Sequence, residues 1–206
     1  MLPTVDSVVQ SVLAEYDQRA AREAQLVREG RAMRDELLLP VGPATGSLMN
    51  LLIKEAKAKR ILEIGTSYGY SSVWLGEAAR EVRGKVTTLE IHPGKAEYAR
   101  QMWAKAGLTE FVECIVGDAQ KTLATLEGPF DFVLMDLWKD LYVPCFELTY
   151  PKLAPGATIV ADNMLFPEEH RPHALDYRNR VKSKPDMTSV LLHVGSGIEV
   201  SRFRSG

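Results

Sequence analysis

A three-layer α/β fold, with a mostly parallel seven-stranded sheet between helices and extra helices at the N-terminus, follows from three features of the sequence. From Lys59 onward, short apolar runs alternate with helical stretches. The tail instead reads as a terminal antiparallel hairpin around Gly195-Ser196-Gly197. The segment before Lys59 has helical periodicity.

Taken in order, residues 3 to 38 read as helical, with Thr4 or Asp6 as cap and Val8, Val9, Val12, Leu13 and Tyr16 on one face. The charged run that follows, from Asp17 to Glu36, is a solvated face or a homodimer contact. Pro40-Val41-Gly42-Pro43 breaks the helix as an entrance loop, and Thr45 to Ala58 resumes it with Leu48, Leu51 and Leu52 inward. Strands are expected near Arg60–Ile64, Lys85–Glu90, Phe111–Val116, Phe130–Asp136 and Ala157–Ala161. Helices are expected near Ser71–Glu81, Pro93–Ala106, Ala119–Leu126, Asp140–Leu153 and Arg171–Ser183. The terminal hairpin pairs Thr188–Val194 with Ile198–Phe203.

With 206 residues, 46% of them hydrophobic and 25% charged, one domain over 1–206 can bury a sizeable core. A formal charge of −2 with no concentrated basic segment argues against nucleic acid and for small-molecule partners. No window approaches eighteen apolar residues and the N-terminus lacks a basic, then apolar, leader, so no membrane partner and a cytoplasmic location are expected. Cys114 and Cys145, two thiols far apart, read as reduced and buried or half-buried.

Two strand ends carry the chemistry. Phe130 to Asp140 is an apolar run that ends by presenting Asp136, with Trp138 and Lys139 behind it. Ala157 to Ala161 ends in Asp162-Asn163. If the two runs are parallel neighbours, Asp136, Asp162 and Asn163 converge at the sheet edge where open α/β sheets bind ligands. Two carboxylates and an amide carbonyl suit Mg²⁺ or another divalent cation, which prefers six oxygens at about 2.0–2.1 Å. Such a cation would orient a diol and lower its hydroxyl pKa. Lys139, three residues after Asp136 and partly desolvated, is a candidate general base. A turn after a strand, a helix cap and a solvated lysine are the competing roles for these residues.

A strand, a glycine turn and a helix start run through Glu63-Ile64-Gly65-Thr66-Ser67-Tyr68-Gly69. Glycine lets the backbone approach a ligand, and the helix start offers free N–H groups. The third glycine of the dinucleotide fingerprint and the lysine of a phosphate loop are absent. Glu63 repels a pyrophosphate, while Glu90 at the next strand end is placed to accept from ribose hydroxyls. A cationic ligand with a ribose and no phosphate fits, and S-adenosylmethionine is one.

These motifs, with Gly117-Asp118-Ala119-Gln120, resemble those of class I S-adenosylmethionine-dependent methyltransferases, which have a Rossmann-like fold. Asp136-Leu137-Trp138-Lys139-Asp140 with Asp162-Asn163 is similar, more narrowly, to the cation-dependent O-methyltransferases that include the catechol and caffeoyl-CoA enzymes. The likeness runs from about Val41 to Phe203. It implies residues 1–58 as N-terminal helices and entrance loop, and 59–206 as a cofactor- and metal-binding core.

The resemblance places Glu63, Gly65, Thr66 and Ser67 around the methionine portion of the cofactor, with Ser71 on its carboxylate side. It gives Glu90 to the ribose, Ile91 to an adenine face and Asp118, Ala119 and Gln120 to the adenine edge. Val41 meets the cofactor from the entrance loop, Asp136 lies beside both cofactor and cation, and Trp138 packs by the adenine or walls the substrate pocket. Lys139 is the base, and Glu199 matches a glutamate that binds the second hydroxyl of a catechol-like aromatic diol. Core packing is the competing reading for Ile91, Ala119 and Trp138, and a solvent-facing place in the hairpin is the competing reading for Glu199. Met164, Leu165, Phe166 and Pro167 are expected as an apolar wall, and the four histidines as surface residues.

Two departures separate this sequence from the family pattern. Leu137 stands where the mammalian catechol enzyme has histidine and the caffeoyl-CoA group alanine, and Leu37 to Pro40 lack the tryptophan and methionine that gate the catechol pocket. The resulting expectation is methyl transfer from S-adenosylmethionine to one hydroxyl of an aromatic diol. A nicotinamide-dependent oxidoreductase and a non-catalytic cofactor-binding protein are the alternatives.

Overall fold

The computed structural model describes residues 5–31 and 36–204. Its centre is a seven-stranded sheet of order β3-β2-β1-β4-β5-β7-β6. The strands are β1 (Arg60–Ile64), β2 (Lys85–Glu90), β3 (Val112–Val116), β4 (Phe130–Met135), β5 (Leu153–Ala161), β6 (Met187–Leu192) and β7 (Ile198–Phe203). The first five are parallel; β7 runs antiparallel to both β5 and β6. The parallel sheet with its terminal hairpin, expected from the alternation of runs, is what forms.

Alternation along the strands sends side chains into two cores. One face carries Ile61, Val86, Phe132, Leu134 and Val160. It is covered by α1 (Ser7–Arg28), α2 (Pro43–Ala56), α3 (Tyr70–Val82) and α4 (Pro93–Lys105). The other carries Leu62, Ile64, Val133, Met135 and Ile159 under α5 (Ala119–Thr125), α6 (Tyr142–Thr149) and α7 (Arg171–Lys182). Strands buried on both faces explain why the sequence shows continuous apolar runs there.

Three expected boundaries move. The first helix covers 7–28, not 3–38: Gly30 at φ +67 ends it, with Gly30 N donating to Val27 O and Arg31 N to Leu26 O. That pair of bonds is a left-handed C-terminal stop that only glycine adopts cheaply. Asp6 is the cap, its carboxylate accepting from Val8 N and Val9 N; Thr4 lies outside the described residues, as do residues 32–35 of the expected helix. The stretch expected as one helix over Asp140–Leu153 is instead a 3-10 turn at Lys139–Leu141, α6, and a second turn at Tyr150–Lys152 containing Pro151. Strand β5 begins at Leu153, four residues early, and shifts register against β4 between Phe130 and Phe132.

Cys114 is half-buried and Cys145 buried, both as free thiols. Among the described residues no helix is long and apolar enough to cross a membrane.

Candidate active site

The C-terminal ends of β1, β2, β4 and β5 bring most of the expected residues to one edge. Register does this: Ile64 lies beside Met135 and Met135 beside Ala161, so the residues that follow emerge together. Asp136 N donates to Ile64 O at 3.0 Å and Asp162 N to Met135 O at 3.1 Å.

On the β1–β2 side, the glycine turn is tightly determined. Gly65 has φ +103, and a Cβ there would lie 2.0 Å from the carbonyl oxygen of Asp136. The turn is therefore pressed against the strand end that bears the first carboxylate. Its backbone is tied to β2 by Gly65 N and Thr66 N, both donating to Leu89 O. Ser67, in the left-handed region at φ +48, donates its N–H to Glu90 Oε2 at 2.7 Å, and His92 N donates to Glu90 Oε1 at 2.9 Å.

Glu63 turns inward, into the protein. It is fully buried and accepts from the hydroxyls of Ser71 at 2.5 Å, Thr88 at 2.6 Å and Ser72. Thr66 and Thr88 share a further hydroxyl contact at 2.5 Å. Burial pushes the Glu63 carboxyl up to about 7 against the pull of the three hydroxyls. Glu63 and the Ser71 hydroxyl are thus committed to each other, and what they leave open is backbone: α3 starts at Gly69 with no side chain capping its first N–H groups.

Among the expected adenine residues, Ile91 is 57% exposed, which removes the core-packing alternative for it. Asp118 caps α5 by accepting from Lys121 N, and Ala119 and Gln120 lie half-buried in the first turn of that helix. Val41 is buried in the entrance loop.

On the β4–β5 side, two carboxylates crowd together beside one amine. Lys139 Nζ is 3.6 Å from Asp136 Oδ1, 3.1 Å from Leu137 O, and also bonded to the Tyr142 hydroxyl. Asp162 is 1% exposed, and its Oδ1 has no hydrogen-bond partner among the described residues. Its carboxyl is pushed up to about 7, first by burial and then by the charge of Asp136; Asn163 N–H and Lys139 oppose the shift. Burial raises Asp136 as well, against Lys139. Asn163 follows at φ +56, a left-handed conformation that asparagine tolerates.

Tyr142 was not singled out by the sequence. Its hydroxyl meets Lys139 Nζ, Met135 O at 2.9 Å and Asp162 O at 3.1 Å, so it ties the amine to both strand ends. The signal was present as an aromatic hydroxyl three residues after Lys139, one turn away.

Around this pair of strand ends, Trp138 is 50% and Phe166 58% exposed, so Trp138 is not a core tryptophan. Met164 is buried instead, and Leu165 half-buried against Gly197. His92, His173 and His193 are exposed and His170 is partly so.

Glu199 does not join them. Ile198 and Val200 on either side face the α1–α4 core, so Glu199 points to the α7 face. There it is fully buried, accepting from Arg178 Nε at 2.7 Å and Ser189 Oγ at 2.5 Å. Both carboxylate oxygens are engaged within the fold, which corrects the expectation of a glutamate facing a substrate hydroxyl.

Comparison with known proteins now decides the family. The O-methyltransferase family model matches residues 16–203. The chain belongs to the O-methyltransferase family. It is 37% identical over 167 residues to the catechol O-methyltransferase of Mycobacterium tuberculosis, covering 79% of this chain and 72% of that protein. Against mouse catechol O-methyltransferase the identity is 32% over 139 residues, 64% of this chain and 52% of the relative, so the match spans about half of that protein. Among solved structures, the O-methyltransferase TomG of Streptomyces achromogenes, crystallised with S-adenosylmethionine, superposes with a TM-score of 0.80 at 28% identity. The match covers 100% of this chain and 93% of TomG. This O-methyltransferase thus has the Rossmann-like architecture of its neighbours, and the oxidoreductase alternative falls away.

Proposed function

We propose that this O-methyltransferase transfers the methyl group of S-adenosylmethionine to one hydroxyl of a vicinal aromatic diol, with a divalent cation at Asp136, Asp162 and Asn163. The observation that carries the reading is the buried, unpartnered Oδ1 of Asp162 beside a second carboxylate at the edge that also bears the glycine turn. A buried carboxylate with the charge of a second, half-buried carboxylate beside it forms an electrostatically incomplete pair, and a hard dication completes it. Bound there, the cation would act as a Lewis acid on the diol oxygens.

The chain's own residues supply the rest. The uncapped first turn of α3 fits the methionine carboxylate, and Glu90, already held by Ser67 N and His92 N, keeps lone pairs for ribose hydroxyls. Ile91 and the Asp118–Gln120 turn flank the base. Lys139 takes the proton of the reacting hydroxyl at Nζ, held over the site by Tyr142. The hydroxyl oxygen then forms its bond to the sulfonium methyl carbon as the carbon–sulfur bond breaks, leaving S-adenosylhomocysteine. Trp138 and Phe166 offer exposed apolar surface to the aromatic ring. The catechol names of two relatives point to the same substrate class.

The test is methyl transfer from labelled S-adenosylmethionine to a panel of catechols and monophenols, with Mg²⁺ and with chelator. Product only from the diols, and only with the cation, is expected; equal rates in chelator sink the metal, and equal rates on monophenols sink the diol.

A further inference from the structure

The glycine turn is also gripped from outside, by a cluster that the chemistry above does not use. Tyr68 lies in the turn between Ser67 and Gly69, and three separate elements meet on it. From α1, Tyr16 Oη donates to Tyr68 O at 2.6 Å, and the Arg19 guanidinium carbon stands 3.9 Å from the centre of the Tyr68 ring. From α4, Tyr98 packs edge-on against the same ring at 5.4 Å and Lys95 approaches it at 5.3 Å. From the entrance segment, Glu36 O accepts from the Tyr68 hydroxyl at 3.3 Å and from Arg19 at 3.4 Å.

Arg19 is itself locked. Its Nε donates to Glu23 Oε1 at 2.6 Å, and Glu23 Oε2 accepts from Leu38 N at 2.6 Å. One guanidinium therefore joins the N-terminal helix, the turn and the start of the entrance segment that leads to Val41. Cation–ring contacts of this kind are worth on the order of a hydrogen bond each when partly desolvated.

We propose that Tyr68 and Arg19 are positioning residues for cofactor binding: through them α1 fixes the glycine turn and the start of the entrance segment against each other. The proposal rests on the reading of that turn as the S-adenosylmethionine site. It makes α1 a working part of the site and not a covering of the core alone. Ser67, left-handed and one residue away, is the backbone position that loses definition when the grip is released.

The experiment uses the full chain, with S-adenosylhomocysteine binding by calorimetry, initial rates at varied S-adenosylmethionine, and thermal unfolding. Tyr68→Ala and Arg19→Ala should raise Kd and the cofactor KM roughly tenfold, while kcat at saturation stays within about threefold. Tyr68→Phe keeps the ring grip and loses only the bond to Glu36 O, so roughly threefold is expected. Glu15→Gln, which breaks the exposed Glu15–Lys105 tie between α1 and α4 without touching the turn, should leave Kd unchanged. Equal affinity in wild type, Arg19→Ala and both Tyr68 variants overturns the proposal, as does a Glu15→Gln Kd raised as far as that of Tyr68→Ala. A wild-type chain that binds no S-adenosylhomocysteine overturns the reading of the turn, and this proposal with it.

Discussion

The two halves of the site edge treat their carboxylates in opposite ways. On the β1–β2 side every acid is spoken for: Glu63 by three hydroxyls, Glu90 by two backbone N–H groups. On the β4–β5 side Asp136 has the Lys139 amine at 3.6 Å, and Asp162 keeps an oxygen with no partner among the described residues although it is 1% exposed. A finished half needs nothing added to hold its shape. An unfinished half stores unfavourable charge that a bound cation would relieve, and the proposed cation dependence rests on that physical difference.

The two halves differ most at Asp162. Asp162→Ala should lower kcat about 1,000-fold, because a Lewis-acid position is worth several kcal/mol of transition-state stabilisation. S-adenosylhomocysteine affinity should stay within about threefold, since the β1–β2 half is untouched. Calorimetry and single-turnover rates check both, and a variant that retains its rate would place the cation elsewhere.

Lys139→Met comes next, with turnover down about 100-fold, in the range for loss of a positioned base. Cofactor affinity should again be kept. If rate and affinity fall together, the two halves are not separable through Lys139.

Much of this division was legible in the sequence, and the reasons differ by residue. Both strand ends could be read because a buried parallel strand leaves an unbroken apolar run that stops at its polar residue, as at Asp136 and Asp162. What periodicity could not give was partnership. Glu63 reads the same in sequence whether it meets a ligand or three hydroxyls, since Ser71, Ser72 and Thr88 come from a helix and another strand. Glu199 misled for a related reason: a hairpin glutamate looks solvent-facing until the face alternation of β7 is fixed by its pairing with β5 and β6. The left-handed stop at Gly30 was visible, but was masked by a charged run that favours helix on both sides of it.

Glu199 supplies the third prediction, one of stability and not of rate. Glu199→Ala leaves Arg178 and Ser189 without their acceptor and should cost about 2 kcal/mol, below the value for a wholly buried pair because the Arg178 side chain is 20% exposed. The folded fraction should keep kcat within about threefold. A fall in kcat of tenfold or more in the folded variant would return Glu199 to the reaction centre.

The smallest effect separates the two halves by pH. Glu63 and Asp162 both have carboxyls raised to about 7 in the fold. The native state therefore binds their protons more tightly than the unfolded chain does. The stability each contributes is complete below its unfolded value, 4.5 for Glu63 and 3.8 for Asp162, and is lost as pH rises toward 7. Asp6, Glu113 and Glu147 are shifted the other way, so their contributions fade only as pH falls below the ordinary carboxylate range, outside this window. In chelator, wild-type Tm should thus decline between pH 5 and 7, and Glu63→Gln should remove part of that decline, about 3 °C of it. Mg²⁺ at pH 7 should recover the share due to Asp162 and little of that due to Glu63, whose shift comes first from burial and only last from the charge of Asp136. Recovery of the whole decline by Mg²⁺ in the wild type would mean that Glu63, for all its hydroxyls, answers to the same charge.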